Sequence, residues 1–374
     1  MGIPYEVWDT ATLEQNLQCS TTSYGPPRRI DDPEFGSPAM DGDKEREITG
    51  CAYFPNTGYV SDPMLATRNV HFAAKHTGKA TFRFGKRGDV MSIEYDSSAG
   101  RVSGVTLADG SKLSAPVVVN CGGPYSSRIT DLAFPEAETA AGRRPGNDMA
   151  FTTRALRVEV AAVDAPDNDT YKDAEGSFGP VVTDFDVGTY WRAELGNKIM
   201  IGSVEPACDP LHFQDNPDEM PEALTEDHTA LIYRCALRLP QLGLGSGTST
   251  QGFAAMCTCV QPQCPWSWPC VDAKRCHACA DDATPDWTPL YDKSSMAGYY
   301  MAIGTSGNQF KNGPVAARFM SELIDRTESA TGAFDHDATP HQHQLQWVKG
   351  ELDISAFTRL RDTSASATSG SVLG

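Results

Sequence analysis

A chain of 374 residues with 40% apolar content can bury a large core, and its length suits two interleaved domains. Its 49 acidic residues outweigh 31 basic ones, and the net charge of −18 argues against nucleic acid or an anionic membrane as partner. No apolar run approaches the roughly 20 residues of a spanning helix and no charged-then-apolar leader opens the chain, so a soluble protein of the cytoplasm or an organelle matrix is expected.

In chain order, Pro55 to Pro63 reads as a loop around Gly58-Tyr59, and a helix is predicted from Met64 to His76. Asp109-Gly110 marks a hairpin turn. Val117 to Val119 is a β-branched run of the fully buried kind, ending at the unencumbered turn Gly122-Gly123. Phe151–Val163, Val181–Phe185, Thr189–Arg192 and Lys198–Val204 read as short strands. The turns between them, Asp186-Val187-Gly188 and Glu194-Leu195-Gly196-Asn197, predict an antiparallel sheet. Glu222 to Leu239 carries Leu224, His228, Leu231, Ile232, Cys235 and Leu239 on one stripe and is an amphipathic helix stopped by Pro240; Gly243 to Gly247 then reads as loop.

Six of the eleven cysteines fall within 23 residues, Cys257 to Cys279. Cys276-His277-Ala278-Cys279 has the spacing of a zinc knuckle, so a structural zinc loop is one reading of this stretch; disulfides are another. Beyond it, Met301 to Ile303 is a buried strand, Gly304 to Gly313 a glycine-bearing turn, and Pro314 to Ile324 an apolar-periodic helix. A helix N-terminus behind glycines, with Lys311 at the same mouth, suits a ligand that is or becomes anionic. From about Thr327 the chain is a polar tail containing His336, His341 and His343, to which no acid/base or metal role is assigned.

Thr284-Pro285-Asp286, Gly298-Tyr299-Tyr300 and Ser306-Gly307-Asn308-Gln309-Phe310-Lys311 stand in the order of the carboxy-terminal flavin segment of the D-amino-acid oxidase superfamily. These FAD-dependent amine oxidoreductases include sarcosine oxidase, glycine oxidase and dimethylglycine dehydrogenase. Pro55 to Pro63 resembles the family's "GyvdP" element, and Gly104 to Pro124 its hairpin and late "VVnaaG" strand. Two departures stand out. The family's His in the last turn is Asn308, and no strand followed by G-x-G-x-x-G, the FAD pyrophosphate cradle, occurs. Met1 to Asp9 instead resembles a mid-domain stretch, so the chain reads as amino-terminally truncated by at least one βαβ unit of roughly 30 residues, and weak FAD binding is expected.

The resemblance implies a mixed α/β fold in which an incomplete Rossmann-like FAD-binding domain interleaves with an antiparallel-sheet substrate domain. It divides the chain into a partial substrate or cap segment (1–50), a partial FAD-binding domain (51–150), the substrate sheet (151–256), a Cys-rich stretch (257–281), a carboxy-terminal FAD-binding segment (282–326) and the tail (327–374). The Cys-rich stretch interrupts the family pattern, which favours an insertion foreign to the fold, such as translated intron. The family's cofactor positions fall on Val90, Gly122, Gly123, Gly304, Ser306, Gly307, Asn308, Gln309, Phe310 and Lys311. Its chemistry is oxidation of a carbon–nitrogen bond in a small amine or amino acid by hydride transfer to FAD. Lys311 would either stabilise charge on the reduced ring or hold a substrate carboxylate. Tyr190 and Arg192, on one face of a roof strand, would orient that carboxylate. Covalent attachment is not expected, because Ala255 matches the family's attachment Cys. A flavin-free remnant or interaction protein, and a zinc protein organised by Cys257 to Cys279, are the alternatives.

Overall fold

The computed structural model describes residues 3–60, 62–166, 170–171, 179–194, 196–221, 223–242, 251–253, 279–307, 309–329, 334–345 and 350–363. The chain opens with β1 (Glu6–Trp8), α1 (Thr10–Leu17), β2 (Met40–Asp41), β3 (Lys44–Glu45), β4 (Cys51–Tyr53) and α2 (Pro63–His76). Next come β5 (Val90–Asp96), β6 (Arg101–Leu107), β7 (Lys112–Ser114), β8 (Val118–Asn120), α3 (Ser126–Ala133) and α4 (Glu136–Ala140). Strands β9 (Arg154–Val158), β10 (Val160–Asp164), β11 (Val181–Asp184), β12 (Thr189–Glu194), β13 (Lys198–Ser203) and β14 (His212–Gln214) precede α5 (Glu226–Arg238). Last are β15 (Gln251–Phe253), β16 (Cys279–Ala283), β17 (Leu290–Lys293), β18 (Tyr299–Ile303), α6 (Gly313–Glu328), β19 (Gln342–Gln344) and β20 (Glu351–Asp353). The fold is mixed α/β, as expected, with largely antiparallel sheets.

The predicted substrate sheet is five-stranded, in the order β11-β12-β13-β10-β15 with every pair antiparallel. The β12–β13 hairpin turns through Gly196 and Asn197, both at positive φ, which suits the twist of a tight hairpin. Helix α5 lays Leu231, Ile232 and Cys235 against Ala161, Val163, Trp191, Ile199 and Ile201 of this sheet. It starts at Glu226 rather than at the expected 222, because the Thr225 side chain accepts from Asp227 N and caps the helix there. Leu224 therefore lies ahead of the helix, 38% exposed, instead of on the buried stripe.

The expected strand 151–163 is two strands broken at Glu159. That carboxylate is buried beside Arg157 and accepts from Thr225 N at 3.0 Å and His228 N at 3.1 Å. It is thus an anion placed at the positive end of α5. The break lets β9 join β14 and β16 in a separate three-stranded sheet while β10 stays in the large one.

A third sheet has the order β17-β18-β8, with β18 parallel to β8 from Tyr299↔Val118 to Met301↔Asn120. Val117 to Val119 was expected to be fully buried; instead Val119 is 38% exposed, because among the described residues β8 pairs on one side only. The β5-β6-β7 meander, with its predicted turn at Gly110, closes a core containing Ile93, Val102, Tyr299, Met301 and Ile303. Helix α6 packs Ala316, Phe319, Met320 and Leu323 against Tyr291 and Tyr300.

Two further expectations are corrected. Residues 334–345 and 350–363 are not a solvated tail: His336, His341, His343, Ile354 and Arg359 are buried. The reason is charge pairing, since Arg359 reaches Asp148 at 2.6 Å, Asp337 at 2.7 Å and Asp292 at 3.1 Å. The expected Cys-rich insertion lies outside the described residues from 257 to 278, but Cys279 pairs with Val158 and begins β16, so the fold claims its last three residues. No helix among the described residues is long and apolar enough to cross a membrane.

Candidate functional site

Because β8 and β18 run parallel, both release the chain at the same end of their sheet, the end where open α/β sheets collect ligands. Gly122 and Gly123 follow β8, and the 304–311 turn follows β18. Gly304 has φ +69, and a Cβ there would lie 2.4 Å from Thr284 Cγ2. Glycine is thus required by the neighbouring turn as much as by any ligand. A Cβ on Gly122 would meet Ile129 Cδ1 of α3 at 2.4 Å.

Ser306 is buried with φ 48; its hydroxyl accepts from Thr284 N at 3.2 Å and donates to Gly304 O at 3.1 Å. Gln309 Oε1 accepts from Tyr291 Oη at 3.1 Å. These two side chains therefore build the turn rather than face outward. Gly307 contributes another positive φ, Phe310 is 54% exposed, and Asn308 lies outside the described residues. Lys311 is exposed and makes no ion pair among the described residues. Two residues farther on, α6 begins with Pro314 in its first turn and no side chain capping it. A helix N-terminus without a side-chain cap and a lysine without a carboxylate partner among the described residues leave a cationic corner at the carboxyl end of the parallel strands.

The floor of this corner is the Thr284-Pro285-Asp286 turn. Arg361 grips the Asp286 carboxylate with two bonds of 2.8 Å and donates to Thr288 O at 2.6 Å, while its guanidinium lies 4.4 Å from the Phe151 ring centroid. Burial opposes ionisation of Asp286, yet the guanidinium and Thr288 N–H hold its carboxyl below the usual range. Arg361 was missed from sequence; its signal was the Arg359-Leu360-Arg361 run, out of character for a solvated tail.

Tyr190 and Arg192 do share a face of β12, opposite the buried Trp191. By the same alternation Glu194 lies there too, and it pairs with Arg192 at 2.8 Å. Arg192 also stacks 4.5 Å from the ring centroid of Tyr59, whose hydroxyl donates to Ala193 O. Tyr190 lies over Gly202, where a Cβ would come within 2.4 Å of the tyrosine hydroxyl. The strand face is thus internally satisfied, and the neutralising role of Glu194 was legible from period-two spacing. Val90, on β5, packs half-buried against the core under β18.

The family model described as DAO, FAD dependent oxidoreductase, matches residues 7–323. The chain belongs to the DAO family. Among curated proteins nothing matches it. Iminodiacetate oxidase from Chelativorans sp. BNC1 superposes with a TM-score of 0.53 at 12% identity, covering 95% of this chain and 67% of that one. Glycine oxidase from Geobacillus kaustophilus gives 0.50 at 16% identity over 91% and 68%. An Amadoriase I mutant from Aspergillus fumigatus gives 0.50 at 16% identity over 76% and 56%. At such identities the likeness is one of fold, and the chain spans 56% to 68% of the length of these three enzymes.

FAD is the DAO family's cofactor. In chemistry the residues present suit its ring end: Lys311 and the α6 dipole are cationic, as a ring that gains electrons requires, and Gly123 and Gly307 are both at positive φ.

Proposed function

We propose that this DAO-family chain oxidises a carbon–nitrogen bond in a small secondary or tertiary amine or amino acid, with FAD as electron acceptor. The observation that carries this reading is the cationic corner: exposed Lys311 beside the uncapped start of α6, at the shared end of parallel strands β8 and β18. When bound, FAD supplies the hydride acceptor. The protein's contribution is fixed positive charge where that acceptor becomes electron-rich, in place before reaction begins. Lys311 supplies a point charge and α6 the positive end of its dipole. Gly304, Ser306 and Gln309 act one step behind, holding the turn on the Thr284 and Tyr291 scaffold.

The β12 face is the weaker candidate for orienting substrate. Arg192 already holds Glu194, so a substrate carboxylate must displace that side chain to gain the guanidinium. This favours Lys311 over Arg192 as the first cation a substrate meets. The test is anaerobic flavin reduction at saturating FAD with a panel of N-methyl amino acids. Lys311→Met should lower the limiting reduction rate by about 10²–10³-fold while FAD affinity holds, if its role approaches that of one oxyanion-hole donor. A fall in substrate affinity alone would make Lys311 a carboxylate anchor. Reduction by none of the secondary and tertiary amines would reject the proposed activity.

A further inference from the structure

His341, just before β19, and His343 within it lie two positions apart and so point to one side of the chain, and both imidazoles are buried, each residue only 4% exposed. They converge on a single oxygen of α6. Glu322 Oε2 lies 3.0 Å from His341 Nε2 and 2.8 Å from His343 Nδ1. One nitrogen from each ring and one carboxylate oxygen all fall within 4.8 Å of one another. Zinc bonds of about 2.0–2.1 Å at tetrahedral angles place ligand atoms roughly 3.3 Å apart, so both imidazole–carboxylate pairs stand near the spacing a small divalent ion requires. The Glu322 side chain is 43% exposed, which leaves an entry path and a position for water.

We propose that Glu322, His341 and His343 form a divalent transition-metal site that rivets the carboxy-terminal hairpin β19–β20 to helix α6. Two imidazoles and one carboxylate, without thiolate, suit zinc, cobalt or ferrous ion; calcium and magnesium want oxygen alone. The site is independent of the flavin proposal and of the cysteines at 257–279.

A neighbour sets its affinity. Arg326 Nη1 donates to His341 Nδ1 at 2.7 Å, so in the metal-free protein the His341 proton sits on Nε2 and is given to Glu322. Metal binding at Nε2 moves that proton to Nδ1, where it faces the guanidinium, so Arg326 must turn away. The guanidinium carbon already lies 3.8 Å from the Phe334 ring centroid, a contact that can hold the cation after it gives up His341. Likewise the His343 proton passes from Nδ1 to the other ring nitrogen. No net proton is lost from neutral rings, and Arg326 lowers the affinity of an otherwise formed site.

The test is equilibrium dialysis of chelator-treated protein against zinc, with cobalt(II) as a spectroscopic probe. One zinc per chain raising Tm is expected, together with a cobalt spectrum lacking the thiolate charge-transfer band. Glu322→Gln should weaken binding at least about 10-fold, and Arg326→Met should tighten it by roughly 10-fold, the size of an outer-shell effect with the sign reversed. Glu322 is half-exposed and Arg326 exposed, so both variants keep the fold. No retained zinc would overturn the proposal. So would zinc bound equally by wild type and Glu322→Gln with a thiolate band, which would assign it to the cysteines.

Discussion

The two ends of the β18–α6 unit are built on opposite terms. At its start, the 304–311 turn holds three residues at positive φ, an exposed Lys311 and an uncapped helix. At its far side, residues 334–345 and 350–363 press an ionic layer against β17, with Arg359 only 2% exposed among three carboxylates. The first region leaves Lys311 unanswered among the described residues; the second answers the Arg359 charge internally. The open corner keeps its shape because the closed layer holds what lies behind it, Arg361 fixing the Asp286 turn and Arg359 fixing Asp292 of β17.

The contrast breaks most completely at Arg359. Arg359→Met strands Asp148, Asp292 and Asp337 around an apolar side chain and should cost about 3–5 kcal/mol, measured by urea unfolding. Acid should act next. Burial pushes His336 from 6.5 down to about 4, so the folded protein holds it neutral while the unfolded chain takes the proton. Stability should therefore fall as pH drops from about 6.5 to about 4, by about 3 kcal/mol in total, and His336→Gln should flatten that segment of the profile. Asp337, held below the ordinary carboxylate range chiefly by its Arg359 hydrogen bond, extends the loss below pH 3.8.

Smaller effects sharpen the comparison from the open side. Gly304→Ala meets both a positive φ and the Thr284 methyl group, and should cost about 1–3 kcal/mol with faster hydrogen exchange across 284–288. Lys311→Met should change unfolding free energy by less than about 0.5 kcal/mol, since the lysine is exposed and makes no ion pair among the described residues. A larger stability loss would place Lys311 in the scaffold and remove it from the ligand corner.

Legibility followed the range of the interactions. The β12–β13 hairpin, the Gly110 turn, α2 and the strand–turn–helix at 299–328 depend on spacing over a few residues, and each was evident from periodicity and turn chemistry. The break at Glu159 was not, because its cause is the start of α5, 66 residues downstream. Nor was the ionic layer, since Arg359 reaches back 211 residues to Asp148 and composition alone marked its segment as solvated. Within the 304–311 turn, the glycines and the exposed Lys311 followed from local sequence, whereas the inward roles of Ser306 and Gln309 came from partners 22 and 18 residues away.

Glu159 gives the molecule a mechanical elbow. One chain segment leaves the three-stranded sheet as β9 and enters the five-stranded sheet as β10, and at the bend the carboxylate is tied to two amides at the start of α5, those of Thr225 and His228. Sliding one sheet past the other would break both amide hydrogen bonds to that buried anion and so is opposed. Thr153, one residue before β9, lies within 3.5 Å of where a side chain on Gly304 would begin. The bend at Glu159 and the turn at Gly304 are thus joined through β9 and Thr153 by packed chain rather than by solvent-exposed loops.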